Sequence, residues 1–308
     1  MVLFIIWFLI KHILTYLIFF LISFKGETQI IYTKIGDISH EITSFNFQNA
    51  DSLINIFEKE SRNDYLFSQL KTNYYWWVLI SGNDNDSIRT LTQINAKNTL
   101  ENIYLINNSK RKCFWSPEFS QFISFGYLTR LYSLSKNYLQ LLSHTKSMLD
   151  IIEQTLIKVD DCDCFKFTSG LFHYFTEYAR DESYLFKAGL LFYPESNSEH
   201  GIKLLNEATK SENLIISSEA NYFLARIYVD NEQEMHRAIY HYSILTKIYP
   251  NNLIYLYYEL KAMIKANYSK EVLLQKKQKA MLSINNNSQL ILNQANYFKN
   301  IFEEIKFK

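Results

Sequence analysis

Glu219 to Asn251 reads EANYFLARIYVDNEQEMHRAIYHYSILTKIYPN, and the spacing of its apolar residues decides the fold class. Leu224, Ala225 and Tyr228 fall on one face of a helix, the polar run Val229 to His236 breaks the period, and Ala238, Tyr242 and Leu245 mark a second helical face before Pro250 ends the unit. Two antiparallel helices that set small residues against large ones bring their axes close. A chain built from such pairs buries its core by stacking each pair on the next.

The same grammar extends on both sides. Upstream, Phe167, Gly170, Tyr174 and Tyr178 predict one helix, Tyr184 to Tyr193 a second apolar segment, and Gly201, Ile202, Leu205 and Ala208 a third helix leading into the quoted unit. The order is a glycine-led aromatic helix, an apolar insertion ending at Pro194, a GI-x-L-L-x-x-A helix and then EA-x-x-F-L-A-x-I-Y. It resembles the tetratricopeptide repeat superfamily, and within it a group of exported bacterial proteins of undefined function frequent in the Bacteroidetes. The likeness covers residues 165–268 and is strongest from Gly170 to Pro250. Three features depart from the repeat pattern: an extra residue in the turn after Tyr228, Leu245 where alanine is common, and the insertion from Arg180 to Asn197. The resemblance implies an all-α helix-turn-helix solenoid with degenerate repeats. Gly170, Gly201, Ala208, Leu224, Ala225, Tyr228, Ala238, Tyr242 and Pro250 would be its packing positions. It also implies a concave face lined by the first helix of each pair, so that outward polar residues there, Asn221, Arg226 and His173, are the candidate contacts to a protein or peptide partner.

Helical periodicity runs through the rest of the body after a polar stretch from Lys25 to about Thr43. Leu53, Ile54 and Phe57, then Leu66 and Leu70, predict a first pair with Asp64 as N-cap. The run Tyr74 to Ile80, YYWWVLI, predicts a buried helix. Its adjacent tryptophans point about 100° apart on a helix and are expected to pack in the core, not to line one pocket wall together. Gly82 to Ser87 lacks the glycine and closing glutamate of an EF-hand loop and reads as a helix cap. Phe122, Phe125, Gly126 and Tyr132, followed by Leu139, Leu142, Met148, Leu149 and Ile152, predict another pair in which the Phe125-Gly126 step allows close approach. Past Pro250, helices are expected around Leu253 to Leu260, around Val272 to Met281 and from Leu290 to Ile305, with Lys276, Lys277 and Lys279 on the solvent face of a terminal cap.

Composition agrees with this reading. Of 308 residues only 7 are Gly and 3 are Pro, too few for a many-stranded fold, and 48% are hydrophobic, too many for a disordered chain. The net charge of +1 with scattered lysines excludes the electrostatic footprint of a nucleic-acid binder. Lys110, Arg111 and Lys112 form the compact basic run of the body and read as a solvated loop. Val2 to Phe24 is almost wholly apolar apart from Lys11 and His12, so residues 1–26 are expected to be a signal peptide or a membrane anchor ahead of a repeat domain at 27–308. Either places the body in the periplasm or on the cell envelope, with membrane association through residues 1–24.

Chemistry is harder to find. The seven histidines form no zinc-protease or haem motif, and no phosphate loop or nucleophile elbow occurs. His173 and Glu177 share a face at i, i+4 and read as a polar contact in an inter-helix groove. Cys113, Cys162 and Cys164 leave at least one unpaired thiol in a monomer. A bridge across the single residue between Cys162 and Cys164 would be strained, and a bridge from Cys113 to either stays open. The acidic run from Asp160 to Cys164 lacks a second ligand pair for zinc and is expected to be an exposed loop. The expectation is therefore a non-enzymatic scaffold for protein–protein interaction, without cofactor, metal or catalytic residues. The alternatives are an anchored structural or assembly factor of the envelope, or an enzyme with an unrecognised site on a helical superhelix.

Overall fold

The computed structural model describes residues 32–61, 64–105, 113, 116–182 and 190–307. They divide into two compact units, residues 1–38 and 39–308. Of the first, residues 32–38 are described and are helical. The leader at 1–26, the basic run at 110–112 and most of the segment from Tyr184 to Tyr193 lie outside the described residues. Among the described residues no helix is long and apolar enough to cross a membrane.

The second unit is all-helical, with no strand among its described residues. After a helical stretch at residues 39–43 come α1 (Phe47–Ser61), α2 (Tyr65–Ile80), α3 (Asp86–Leu105), α4 (Pro117–Leu134), α5 (Tyr138–Leu156), α6 (Asp163–Glu182), α7 (Ser198–Ala208), α8 (Leu214–Asp230), α9 (Met235–Ile248), α10 (Leu253–Lys265), α11 (Lys270–Asn286) and α12 (Leu292–Glu303). Each packs chiefly on the next, and α2 also touches α4 and α6 also touches α8. That is the contact pattern of stacked helix pairs.

Local chemistry explains where the helices begin. The side chains of Asp64, Ser116, Asn137, Asn197, Asn213, Asn252 and Ser269 accept backbone N–H groups of the turns they precede. Each satisfies a donor that the first turn leaves without a partner, worth about 1 kcal/mol. The abundant asparagines are thus used as punctuation. Gly82, just past α2, has φ +96°, where a side chain would be strained, and a Cβ there would run into Tyr297.

The quoted unit forms α8 and α9. Leu224, Ala225, Tyr228, Ala238, Tyr242 and Leu245 are all buried, while Pro250 is exposed after the end of α9. The polar break is shorter than expected, because α8 continues through Asp230 and leaves Asn231 to Glu234 as the turn. The α6–α7 crossing is the tightest. A Cβ on Gly201 would lie 2.7 Å from the Tyr174 amide nitrogen and 2.8 Å from the Gly170 carbonyl oxygen, and one on Gly170 would lie 2.8 Å from Leu205 Cγ. The two glycines let the backbones meet.

Several expectations need correction. The stretch ending at about Thr43 is helical where it is described, from residue 32. Gly126 does not mark a close approach, since a Cβ there would meet nothing within 4 Å. On α5, Leu139 is 83% and Leu142 53% exposed, so that helix buries only its C-terminal half, at Ile151, Ile152 and Thr155. The lysines of α11 are not all solvated. Lys276 pairs with the buried Glu259 at 2.5 Å, and Lys277 donates to the carbonyls of Glu303 and Ile305.

The array also closes on itself. Gln289 Oε1 accepts from the Asn49 amide at 3.1 Å, Gln294 donates to Ser81 Oγ at 2.6 Å, and Asn252 donates to the Thr43 carbonyl at 2.7 Å. Phe45 packs on Phe298 with centroids 5.7 Å apart, and Trp77 meets Tyr255 edge-on at 5.7 Å. The first helices of the unit therefore rest on the last, and α2 faces α10 directly.

Candidate functional site

Where α2, α4, α6, α8 and α10 converge, they enclose a groove of about 380 Å³. Its α8 wall is a stripe of Glu219, Tyr222, Phe223, Arg226 and Asp230. This 3–4 residue spacing puts them on the face opposite the buried Leu224 and Tyr228. Trp76 and Trp77 of α2 lie across from it, Tyr127 and Arg130 come from α4, and Tyr255 and Tyr258 come from α10, again at i, i+3.

Both tryptophans line the groove, where the expectation was core packing, but they do so from different sides. Trp77 turns toward α10 and is buried against Tyr255, whereas Trp76 turns toward α4, where its ring packs on Tyr127 at 5.8 Å. Because α4 and α10 flank the same cavity, side chains about 100° apart on α2 meet it from two sides.

The charged groups are set among these rings. The Arg130 guanidinium lies over both Trp76 and Phe223, 5.6 Å from each centroid. Arg226 lies 4.8 Å over Tyr258 and pairs with Asp230 at 2.6 Å. Such stacking orients a cation and holds it in place. Among the described residues neither Arg130 nor Glu219 has a hydrogen bond or an ion pair. Burial pushes the Glu219 carboxyl above its usual range, opposed by the positive charge of Arg130. Burial likewise raises Tyr127 and Tyr255, with the Glu219 charge adding to the effect, so both stay neutral phenols. Tyr127 donates to Asn73 Oδ1 at 2.8 Å, which fixes its ring.

The three residues expected to contact a partner are not brought together. Arg226 is in the groove. Asn221 is only 1% exposed: its side chain donates to the Ser217 carbonyl at 2.8 Å and its Oδ1 meets His241 Nδ1 at 2.9 Å. It belongs to the α8–α9 interface and not to an outward face. His173 accepts from the Asn197 amide at 3.3 Å, while Glu177, one turn on, accepts from the Ser198 amide. Together they hold the start of α7, away from the groove-lining residues. Burial, then the neighbouring His200, lowers the His173 pKa. Sequence reading passed over Glu219, Tyr222, Tyr127 and Arg130, although the polar-aromatic stripe on α8 was a legible signal. What it could not show is that α2, α4 and α10 face that stripe.

The Gly82 to Ser87 loop caps α3: Asn85 accepts from the Ile88 amide at 3.0 Å and Asp84 binds Arg89 through both carboxylate oxygens. No group of three or more His, Cys, Asp or Glu among the described residues is arranged to hold a metal ion. All three cysteines are free, and Cys113, distant in sequence, lies against the carbonyl of Asp161, next to Cys162. No known protein family, curated protein or solved structure matches the chain.

Proposed function

We propose that the protein is a tetratricopeptide-like binding module and that the groove between α2, α4, α8 and α10 holds a short peptide segment of a protein partner. The observation that carries this reading is the pairing of an aromatic cavity with two charged groups, Arg130 and Glu219, that have no hydrogen-bonding partner among the described residues. An extended peptide supplies what both lack, carbonyl oxygens for the guanidinium and N–H groups for the carboxylate. Its side chains would occupy the space between Trp76, Phe175 and Phe223. Rigid aromatic anchors around a few fixed polar groups are the composition of an interaction hot spot. The module acts without catalysis, on an exported or envelope-associated chain, the expectation that the apolar leader raises. A membrane-anchored assembly factor would use the same groove.

Selection from a random peptide library on the immobilised protein tests this. Convergent sequences should emerge, quench or shift the tryptophan emission on titration, and lose binding at least tenfold in Trp76→Ala and in Arg130→Ala while helical content is kept. Failure to enrich any sequence, or binding that survives both substitutions, would refute the peptide reading. Binding of glycans in place of peptides would keep the groove and reject its assigned occupant.

A further inference from the structure

A second cluster of reactive groups lies away from the groove. Cys162 immediately precedes α6, and its Sγ is 2.9 Å from Cys164 Sγ. Cys113, from the segment before α4, places its Sγ 3.7 Å from the carbonyl oxygen of Asp161, the residue that precedes Cys162. Three thiols thus converge from two segments. Cys113 and Cys162 are partly exposed, whereas Cys164 is 2% exposed. The arrangement is asymmetric: the buried Cys164 thiol can donate an S–H to Cys162 Sγ, and Cys162 immediately precedes the first turn of α6, whose N–H groups carry partial positive charge. These donors favour a thiolate at that one position.

We propose that this cluster is a thiol–disulfide exchange site, in which Cys162 attacks a small-molecule disulfide such as oxidised glutathione and Cys113 resolves the product. In the first step the Cys162 thiolate forms a bond to one sulfur of the reagent, the reagent's S–S bond breaks, and its other half leaves as a thiolate that takes a proton from solvent. In the second step Cys113 gives up its proton and attacks Cys162 Sγ, a Cys113–Cys162 disulfide forms, and the remaining half departs as a thiol. Two protein thiols are oxidised and one reagent disulfide is reduced. Cys164 is a positioning residue. Its S–H stabilises the attacking sulfur, and its burial and the strain of a bridge across one residue keep it from resolving the intermediate. The new bond would tie the entry of α4 to the entry of α6 across the intervening α5.

The environment supports the assignment. The Cys164 S–H, with the nearby Cys113 thiol and the backbone at the start of α6, lowers the Cys162 pKa to about 6 against the opposing effect of burial, while burial pushes Cys113 up to about 12. The charged groups nearby are Asp161 and Asp163, the latter bound to Lys166 at 3.5 Å, and Glu118 of α4 paired with Lys158 at 3.2 Å. A nucleophile ionised at neutral pH beside a protonated neighbour is the order that exchange requires.

The test uses the fully reduced chain. It is incubated with oxidised glutathione at pH 7, quenched in acid and mapped by mass spectrometry. The expected product is a single Cys113–Cys162 bridge with both halves of the reagent released. In Cys113→Ser, a stable glutathione adduct should accumulate on Cys162. Alkylation of Cys162 by iodoacetamide should reach half its maximal rate near pH 6, and circular dichroism should confirm that both proteins are folded. A Cys162–Cys164 bridge, modification of Cys164 as fast as Cys162, absence of any adduct, or a Cys162 rate that rises only near the ordinary thiol pKa of about 8.5 would each overturn the proposal.

Discussion

Two glycine-to-alanine substitutions should move stability in opposite directions, and the difference is set by what a single methyl group would touch. Gly201 and Gly126 both lie inside helices, α7 and α4. In isolation each replacement gains about 0.5 to 1 kcal/mol by removing backbone freedom from the unfolded chain. At Gly126 nothing lies within 4 Å of the new Cβ, so Gly126→Ala should keep that gain and raise the melting temperature. At Gly201 the methyl would stand 2.7 Å from the Tyr174 nitrogen and 2.8 Å from the Gly170 oxygen, where ordinary contact begins at 3.4 Å. Relief therefore needs a separation of about 0.7 Å (3.4 minus 2.7) between two backbones, since no flexible side chain can yield. Overpacking of this kind costs roughly 1 to 3 kcal/mol, which exceeds the propensity gain. Gly201→Ala should thus lose about 1 to 2 kcal/mol net and melt several degrees lower. Urea unfolding and thermal melts of the three proteins under one condition decide it. If Gly201→Ala equals or exceeds the wild type, the close α6–α7 crossing is wrong, and if Gly126→Ala falls, the open space beside Gly126 on α4 is wrong.

Three further outcomes follow from the same geometry. His241 is buried, its pKa is lowered to about 4 by burial and then by Arg237, and it should stay neutral in the fold. The unfolded chain takes up its proton near pH 6.5, so this stability is complete above that value and falls by about 3 kcal/mol by pH 4. In urea titrations between pH 4 and 7.5, His241→Gln should flatten that dependence, and an unchanged slope would reject it. Glu219→Gln should stabilise the protein at pH 7, because a carboxyl whose folded pKa is raised costs stability once ionised. The gain should vanish below about pH 4.5, while selected peptides bind more weakly. A melt at pH 7 below the wild type would show that Glu219 has a compensating partner. Ala238→Leu, at a site with no exposed surface in α9, should cost roughly 1 to 3 kcal/mol, and an unchanged melt would remove α9 from close packing.

The helices were legible because their signals are local. Asp64 acts within one turn, and the small-large spacing of Leu224, Ala225 and Tyr228 needs only the helical period to be read. The Gly170 and Gly201 positions were legible for the same reason. Failure came where a residue's partner lies far along the chain. Gly126 has the same sequence context as a packing glycine but faces open space. Asn221 looks like an outward polar residue until His241 is placed opposite it. Leu139 and Leu142 fit the apolar period of α5, yet the helix is covered only near its C-terminal end. A bridge from Cys113 to Cys162 or Cys164 stayed open in the sequence, because only the fold sets the Cys113 segment against Asp161.

The groove depends on a contact that no single helix pair contains. In an open array of helix pairs, α2 and α10 would stand far apart, and the stripe on α8 would face water. Here the polar contacts of Gln289 with Asn49, Gln294 with Ser81 and Asn252 with Thr43 bring the first and last helices of the unit together. Trp77 then reaches Tyr255, and the cavity gains two of its walls. Closure also explains why Glu219 is raised in pKa although it lies on a helix face that is polar in sequence, because the aromatic residues brought up against it remove water that an open face would supply. A carboxyl whose ionised form burial disfavours lowers the stability of the protein at neutral pH, and the apolar packing around Leu224, Leu256 and Phe298 offsets the cost. A buried carboxyl retained at such a cost beside well-packed helices is the feature on which the proposed peptide groove rests.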